Sequence, residues 1–197
     1  EIYQGTIEKL LHVSEQLEQF TILAPFVEKY EYKKNHFLRF DEEKGNKLKS
    51  MRFVPGCALL FNLIELSKIG FYDENFFLFF EENDIYMRCL KKDHKIFMLT
   101  DAIISHTGAT SVDQKYRLEL ELDRNWHYMW SKFYFYKKHF NFLTAYIRTV
   151  HHFFSALIKL CFFRFINYRR YLKYKNRASG LLNSYLGNKS WKRPSIK

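Results

Sequence analysis

The chain has 197 residues, of which 47% are hydrophobic and 27% are charged, so it is long and apolar enough to bury a core. This composition excludes a disordered or collagen-like chain and predicts one domain, or one domain with a helical tail. The seven Gly and three Pro are few for a protein built of short strands and tight turns. The 21 Phe, 14 Tyr and 3 Trp suit buried surfaces or membrane interfaces.

The net charge of +11 is unevenly distributed along the chain. Residues 1–110 carry 17 acidic and 14 basic side chains, a net charge of −3, whereas residues 111–197 carry 4 acidic and 18 basic side chains, a net charge of +14. No Asp or Glu follows Asp123. This excess of basic charge predicts that the second half binds an anionic partner or an anionic surface.

The cysteines and the N-terminus indicate a reducing compartment. Cys57, Cys89 and Cys161 are odd in number and widely spaced, with no Cys-x-x-Cys pair, so ordinary buried thiols are favoured over disulfides or a metal site. No charged segment followed by an apolar run opens the sequence, so we expect no signal peptide.

The first elements are a helix and a strand. Ile7, Leu10 and Leu17 fall on one helical face after Gly5, which predicts a helix, and the apolar run 20–25 predicts a short buried strand that ends at Pro25. Residues 27–50 are charged and mixed, as in a surface excursion or an edge hairpin.

A second helix has clear start and stop signals. Asn62 is an N-cap residue with Glu65 three positions later, and Gly70 suits the left-handed residue that ends a helix, so a helix is predicted over 63–69. The remaining pattern predicts a helix over 81–92, strands over 96–99 and 102–105, and long helices from 112 onward.

The segment that best suits catalysis begins the third predicted helix. Glu81, Glu82 and Asp84 directly follow the aromatic run 76–80. Carboxylates at a helix start are stabilised by the helix dipole, which is the structural interpretation. Crowding beside aromatic rings instead raises the pKa of at least one carboxyl and makes a general base, which is the catalytic interpretation. Arg88, one turn beyond Asp84, predicts an i,i+4 ion pair.

His106 follows the predicted strand 102–105 and precedes a small polar turn at 107–111. A histidine that leaves a strand into such a loop can bind a metal or a phosphate. A surface or core histidine is the alternative.

Four blocks of the sequence, in this order and spacing, resemble the acceptor-side half of family 2 glycosyltransferases, especially their rhamnosyltransferase-like bacterial branch. The resemblance covers residues 7–112 well and the tail more loosely. The blocks are Phe53 to Leu60, Ile69 to Phe77, Glu81 to Asp84 with Arg88, and His106 with Gly108 and Ser111.

The resemblance implies an α/β class, a partial GT-A fold followed by a long-helix C-terminal region. It implies an acceptor-side catalytic domain over 1–112 and a basic, aromatic-rich helical tail over 113–197. The implied site has Glu82, Glu81 and Asp84 as catalytic residues, Gly56, Cys57 and Arg88 as substrate-binding residues, and His106 as a ligand of Mg²⁺ or Mn²⁺. Which of the two adjacent glutamates is the base stays open, since Glu82 and Asn83 replace the family's usual Asp and apolar residue.

The activity implied by the resemblance is inverting transfer of a sugar from a nucleotide-sugar donor to a hydroxyl of a glycan or lipid-linked acceptor, in polysaccharide biosynthesis. The nucleotide-binding half and its Asp-x-Asp metal motif should precede residue 6, and no Asp-x-Asp occurs in the sequence. We therefore expect a piece of a longer enzyme. The alternative is a catalytically incomplete, membrane-associated fragment or subunit that binds lipid or a partner.

The basic tail predicts a location at the cytoplasmic face of the cell membrane. Residues 152–166 are interrupted by Lys159 and Arg164 and fall short of the roughly 20 apolar residues that span a bilayer, so a helix in the interface of an anionic leaflet is favoured. A helix over a core and a nucleic-acid surface are the alternatives. No nucleic-acid-binding signature supports the latter, so no nucleic acid is expected as a partner.

Overall fold

A computed structural model describes residues 1–38, 47–106 and 113–193, and these form two compact units. The first unit comprises Glu1–Tyr72 with Glu82–Thr110, and the second comprises Asp73–Glu81 with Ser111–Lys197. The predicted boundary between residues 112 and 113 and the predicted motif residues Gly108 and Ser111 involve positions outside the described residues. The helices are α1 (Thr6–Gln16), α2 (Leu63–Ile69), α3 (Glu81–Lys91), α4 (Arg117–His139), α5 (Phe142–Ile166) and α6 (Tyr168–Tyr185). The strands are β1 (Ile22–Glu28), β2 (Leu48–Ser50), β3 (Leu60–Phe61) and β4 (Ile96–Ser105).

The first unit is built on an open mixed sheet, which confirms the α/β class. Within the described residues the strand order is β2-β4-β1-β3. The central strands β1 and β4 are parallel, and the short strands β2 and β3 pair antiparallel at the two edges. Because β1 and β4 are parallel, their carboxyl ends, Glu28 and Ser105, lie side by side at the same end of the central strands.

Two sequence predictions about these strands were wrong. The strand β1 continues through Pro25 to Glu28, and the two predicted short strands 96–99 and 102–105 are one strand, β4. Between Pro25 and Phe26 the register shifts, so that the partner in β4 changes from Leu99 to Ile103. Proline has no N–H to donate to the ladder, and this shift lets pairing resume after it.

Helices pack on both faces of the sheet. Successive side chains of a strand point to opposite faces, so each face carries apolar side chains that a helix can cover. Ile22 and Ala24 pack with α2 and α3 in one cluster, whereas Leu23, between them, packs with Leu10 of α1 in another. The remaining members of the first cluster are Met51, Val54, Leu66, Ile69, Ile85, Tyr86, Cys89, Ile96 and Met98. The unit therefore has a helix, sheet, helix layering.

The capping of α2 agrees with the sequence at its start and differs at its end. The Asn62 side chain accepts hydrogen bonds from the amides of Ile64 (3.1 Å) and Glu65 (3.3 Å), as predicted. Gly70 has φ 88° and ψ 150°, a positive φ outside the predicted αL region. In this conformation the Gly70 carbonyl accepts a hydrogen bond from the guanidinium of Arg88.

The second unit consists of the three long helices with the segment Asp73–Glu81. Met129 and Phe133 of α4, Ala145 of α5 and Leu181 of α6 form its buried core. Asp73 accepts hydrogen bonds from Lys138 (2.7 Å) and Tyr134 (3.0 Å), which fasten the segment to α4. The predicted long helices after residue 112 are confirmed.

Helix α5 is longer than the apolar run 152–166 considered in the sequence. It has 25 residues, Phe142–Ile166, and is capped by Asn141, whose side chain accepts a hydrogen bond from the Thr144 amide (2.7 Å). By length and composition, with a mean hydropathy of 1.3 in its most apolar window, it could cross a membrane, a criterion that the core helix of a soluble protein also meets. The whole helix, unlike the run 152–166 alone, is thus long enough to span a bilayer.

Candidate active site

A cleft of about 640 Å³ opens at the carboxyl ends of β1 and β4 in the first unit. This position is where open α/β sheets bind ligands, and the volume suits a small molecule. Four chain segments line it, from the end of β1, the loop before β3, the first turns of α3 and the residue after β4. The lining residues are Val27, Glu28, Lys29, Tyr30, Phe53, Val54, Pro55, Gly56, Cys57, Glu82, Asn83, Tyr86 and His106.

Glu82 and Gly56 are in close contact at the wall of the cleft. Glu82 lies in the first turn of α3 and is half-buried. A Cβ atom added at Gly56 would lie 2.6 Å from Cδ and 2.7 Å from Cγ of Glu82, closer than van der Waals contact allows. Glycine at position 56 therefore leaves the space that the Glu82 carboxylate occupies.

Tyr86 joins helix α3 to the loop that carries Gly56. Its buried hydroxyl donates a hydrogen bond to the Val54 carbonyl (3.0 Å). Burial, reinforced by the nearby charge of Glu82, raises the pKa of Tyr86, so the phenol stays protonated and keeps this bond. The loop and the start of α3 are thus held in register next to the cleft.

Cys57 is exposed at the cleft and is a poor nucleophile there. Partial burial of the sulfur raises the pKa of the thiol, and the charge of Glu82 adds to this rise, although backbone hydrogen bonds oppose it. Since the thiolate is the reactive form, Cys57 suits contact with a substrate better than covalent chemistry.

His106 and Glu28 complete the polar lining at the ends of the parallel strands. His106 is exposed directly after β4, and Glu28 ends β1 and accepts a hydrogen bond from the Tyr3 hydroxyl (2.7 Å). No group of three His, Cys, Asp or Glu side chains within the described parts of the chain could hold a metal ion. The Mg²⁺ or Mn²⁺ site that the resemblance implies at His106 therefore stays a prediction.

Asp84 and Arg88 do not line the cleft. Asp84 is fully buried and pairs with Arg88 at 2.9 Å, so the predicted i,i+4 ion pair is confirmed. The Arg88 guanidinium also donates to the carbonyls of Ile69 (2.7 Å) and Phe71 (2.8 Å). The pair thus joins α3 to the end of α2, and this geometry assigns both residues a structural position.

Helix geometry explains why the three carboxylates do not share a site. Residues two positions apart point to nearly opposite sides of a helix, so Glu82 reaches the cleft while Asp84 points into the core. Of the two adjacent glutamates, Glu82 lines the cleft and Glu81 does not.

Sequence reasoning assigned no site role to Glu28, Tyr30, Phe53 or Asn83, which also line the cleft, although Phe53 and Asn83 belong to the motif blocks. A general signal existed for Glu28 and Tyr30, because Glu28 ends and Tyr30 follows a strand whose carboxyl end faces the cleft. The chain turns there through Lys29, which has a left-handed backbone with φ 61°.

Comparisons of the chain with protein-family models, curated proteins and solved structures give no match. The α/β class follows from the sheet and helices themselves. The GT-A arrangement and the glycosyltransferase activity stay predictions.

Proposed function

We propose that this chain is the acceptor-side part of an inverting glycosyltransferase of GT-A type, with Glu82 as the general base. One observation carries the proposal. The resemblance assigns to one site three parts of the chain that lie far apart in the sequence. These are Gly56 with Cys57, Glu82, and His106. They line one cleft at the carboxyl ends of two parallel strands.

The chemistry assigned to Glu82 is removal of the acceptor proton. As the acceptor hydroxyl oxygen bonds to the anomeric carbon, its proton passes to the Glu82 carboxylate. The bond between that carbon and the diphosphate oxygen breaks, and the nucleoside diphosphate leaves with the electron pair. A carboxylate held against Gly56 at a cleft wall is suitably placed for this role.

The cleft walls suit a sugar ring. Tyr30 and Phe53 contribute aromatic rings to the lining, and their apolar faces can pack against the C–H groups of a saccharide. Glu28, Asn83 and His106 offer polar atoms to its hydroxyl groups. Nucleotide binding is assigned by the resemblance to residues that precede those matched here.

The test is sugar transfer by the natural protein that contains this chain. We would follow transfer of labelled sugar from a panel of uridine, thymidine and guanosine diphosphate sugars to glycolipids extracted from the source cells. Glu82→Gln is expected to lower turnover by about 10²-fold or more while donor binding is kept. Glu8→Gln is the matched control, because Glu8 is also in the first turn of a helix but is exposed on α1.

Near-normal turnover of the Glu82→Gln variant would contradict the assignment. A large loss in Glu81→Gln, with little loss in Glu82→Gln, would move the base to the preceding residue. Transfer that is absent from the wild-type protein with every donor would favour the alternative, a catalytically incomplete membrane-associated subunit.

A further inference from the structure

One face of helix α5 carries a row of exposed large apolar side chains. Their exposed fractions range from 57% to 88%, and their spacings of four and seven residues place them on one side of the helix. The row is about 33 Å long at 1.5 Å per residue. This α5 stripe consists of Leu143, Ile147, Phe154, Ile158 and Phe165.

The opposite face of α5 is the one that packs in the second unit. Ala145, Thr149 and Ala156 are buried there, and the Thr149 hydroxyl lies 3.1 Å from the hydroxyl of Tyr185 on α6. Only 11% of the most apolar window of α5 is buried. The helix is therefore anchored by its small residues and presents its large apolar residues outward.

The surroundings of the α5 stripe are basic. Arg148, Lys159 and Arg164 are exposed on the same helix, and Arg169 and Arg170 are exposed at the start of α6. Since no Asp or Glu follows Asp123, α5 and α6 contain no acidic side chain, and of these five cations Arg169 is paired with Glu121 of α4. An apolar row with basic neighbours complements an anionic lipid leaflet in both polarity and charge.

Contacts between α5 and α6 argue against a spanning orientation. The Phe163 ring stacks on Tyr174 of α6 (5.7 Å between centroids), the Lys159 ammonium lies 5.2 Å from the Tyr174 ring, and the Arg170 guanidinium lies 5.2 Å from the Phe163 ring. Lys159 is seven residues, about 10 Å, before the end of α5. A spanning α5 would carry these cations into hydrocarbon, where charged side chains are strongly disfavoured.

We infer that the α5 stripe binds in the interface of an anionic phospholipid leaflet, with α5 lying in the membrane plane. The basic side chains reach the lipid phosphates, and the apolar residues enter the boundary of the acyl chains. This inference goes beyond the proposed function and requires none of the cleft residues, so either can fail without the other.

The test is co-sedimentation of the chain with vesicles of phosphatidylcholine alone and of equal parts phosphatidylcholine and phosphatidylglycerol. We expect binding to the anionic vesicles that weakens at high salt. Ile158→Asn should lower the partition coefficient about tenfold, because it removes one inserted apolar side chain. Ile64→Asn, the same change at a site 73% exposed on α2, is the matched control for Ile158, which is 70% exposed. Glu82→Gln should bind like the wild type.

Three kinds of result would overturn the inference. The first is equal binding to both kinds of vesicle, or an unchanged partition coefficient for a folded Ile158→Asn variant. The second is a lipid-free dimer that Ile158→Asn dissociates, which would assign the stripe to a second copy of the chain. The third is resistance of the membrane-bound protein to extraction by alkaline carbonate, which would indicate a spanning helix.

Discussion

Replacing Gly56 with alanine should disable the cleft without unfolding the protein. The new Cβ would lie 2.6 Å from Cδ of Glu82, whereas carbon atoms pack at about 3.5 Å, so the carboxyl group must move by about 1 Å. Gly56 does not adopt the left-handed backbone that disfavours alanine, and the obstructing atoms end a flexible side chain. We therefore expect the free energy of unfolding to change by no more than about 1 kcal/mol.

The loss of function should be much larger than the loss of stability. A displacement of about 1 Å at a reacting group can lower a rate by about 10²-fold, so Gly56→Ala is expected to reduce sugar transfer by about that factor. The same change is then made in a Glu82→Ala background, where no carboxylate is present to be displaced. There Gly56→Ala should have little further effect on the transfer rate.

Sugar transfer at the normal rate by the Gly56→Ala variant would contradict this prediction. The prediction would also be refuted if the two changes lowered the rate independently, or if urea denaturation showed a stability loss of several kcal/mol. The last result would mean that the backbone, rather than the Glu82 side chain, absorbs the overlap.

Three further predictions concern stability. Asp84→Asn should lower the free energy of unfolding by about 3 kcal/mol in urea denaturation, because it leaves the partly buried Arg88 guanidinium without its fully buried charged partner. Gly180→Ala should lower it by about 1–3 kcal/mol, because a Cβ there would overlap the rigid backbone carbonyl of Trp126. Burial lowers the pKa of His152 from 6.5 to about 4, so the unfolded chain takes up a proton that the folded chain does not. The second unit should therefore lose stability as the pH falls from 6.5 towards 4, and His152→Gln should flatten this dependence in denaturation curves recorded across that range.

Each of these has a matched control or a contradicting result. Asp113→Asn removes an exposed pair with Lys115 and should change stability by less than about 0.5 kcal/mol. Gly187→Ala introduces backbone strain at φ 75° with no neighbouring atom within 4 Å, which separates strain from overlap. A pH dependence that is identical in wild type and His152→Gln would contradict the role of His152.

Local patterns in the sequence were sufficient to predict the helices α1, α2 and α3. The span of α2 and its Asn62 cap followed from residues within one turn of each other, as did the ion pair of Asp84 with Arg88. The strands were predicted less well, because their extent depends on a partner far along the chain. The sequence predicted that the first strand ends at Pro25. The strand β1 continues beyond it because its pairing with β4 shifts register after the proline.

The site itself required the tertiary structure. The sequence could not choose between the adjacent glutamates, and it grouped Asp84 with them, because closeness along the chain says nothing about which side of a helix meets a cleft. Parallel pairing of β1 with β4 brings Glu28 and His106 together at the carboxyl ends of these strands. The packing of α3 on the sheet places Glu82 against Gly56. The basic, aromatic composition of the tail was evident from the sequence. Only the packing of α5 through Ala145, Thr149 and Ala156 determined which of its faces is buried and which is left exposed.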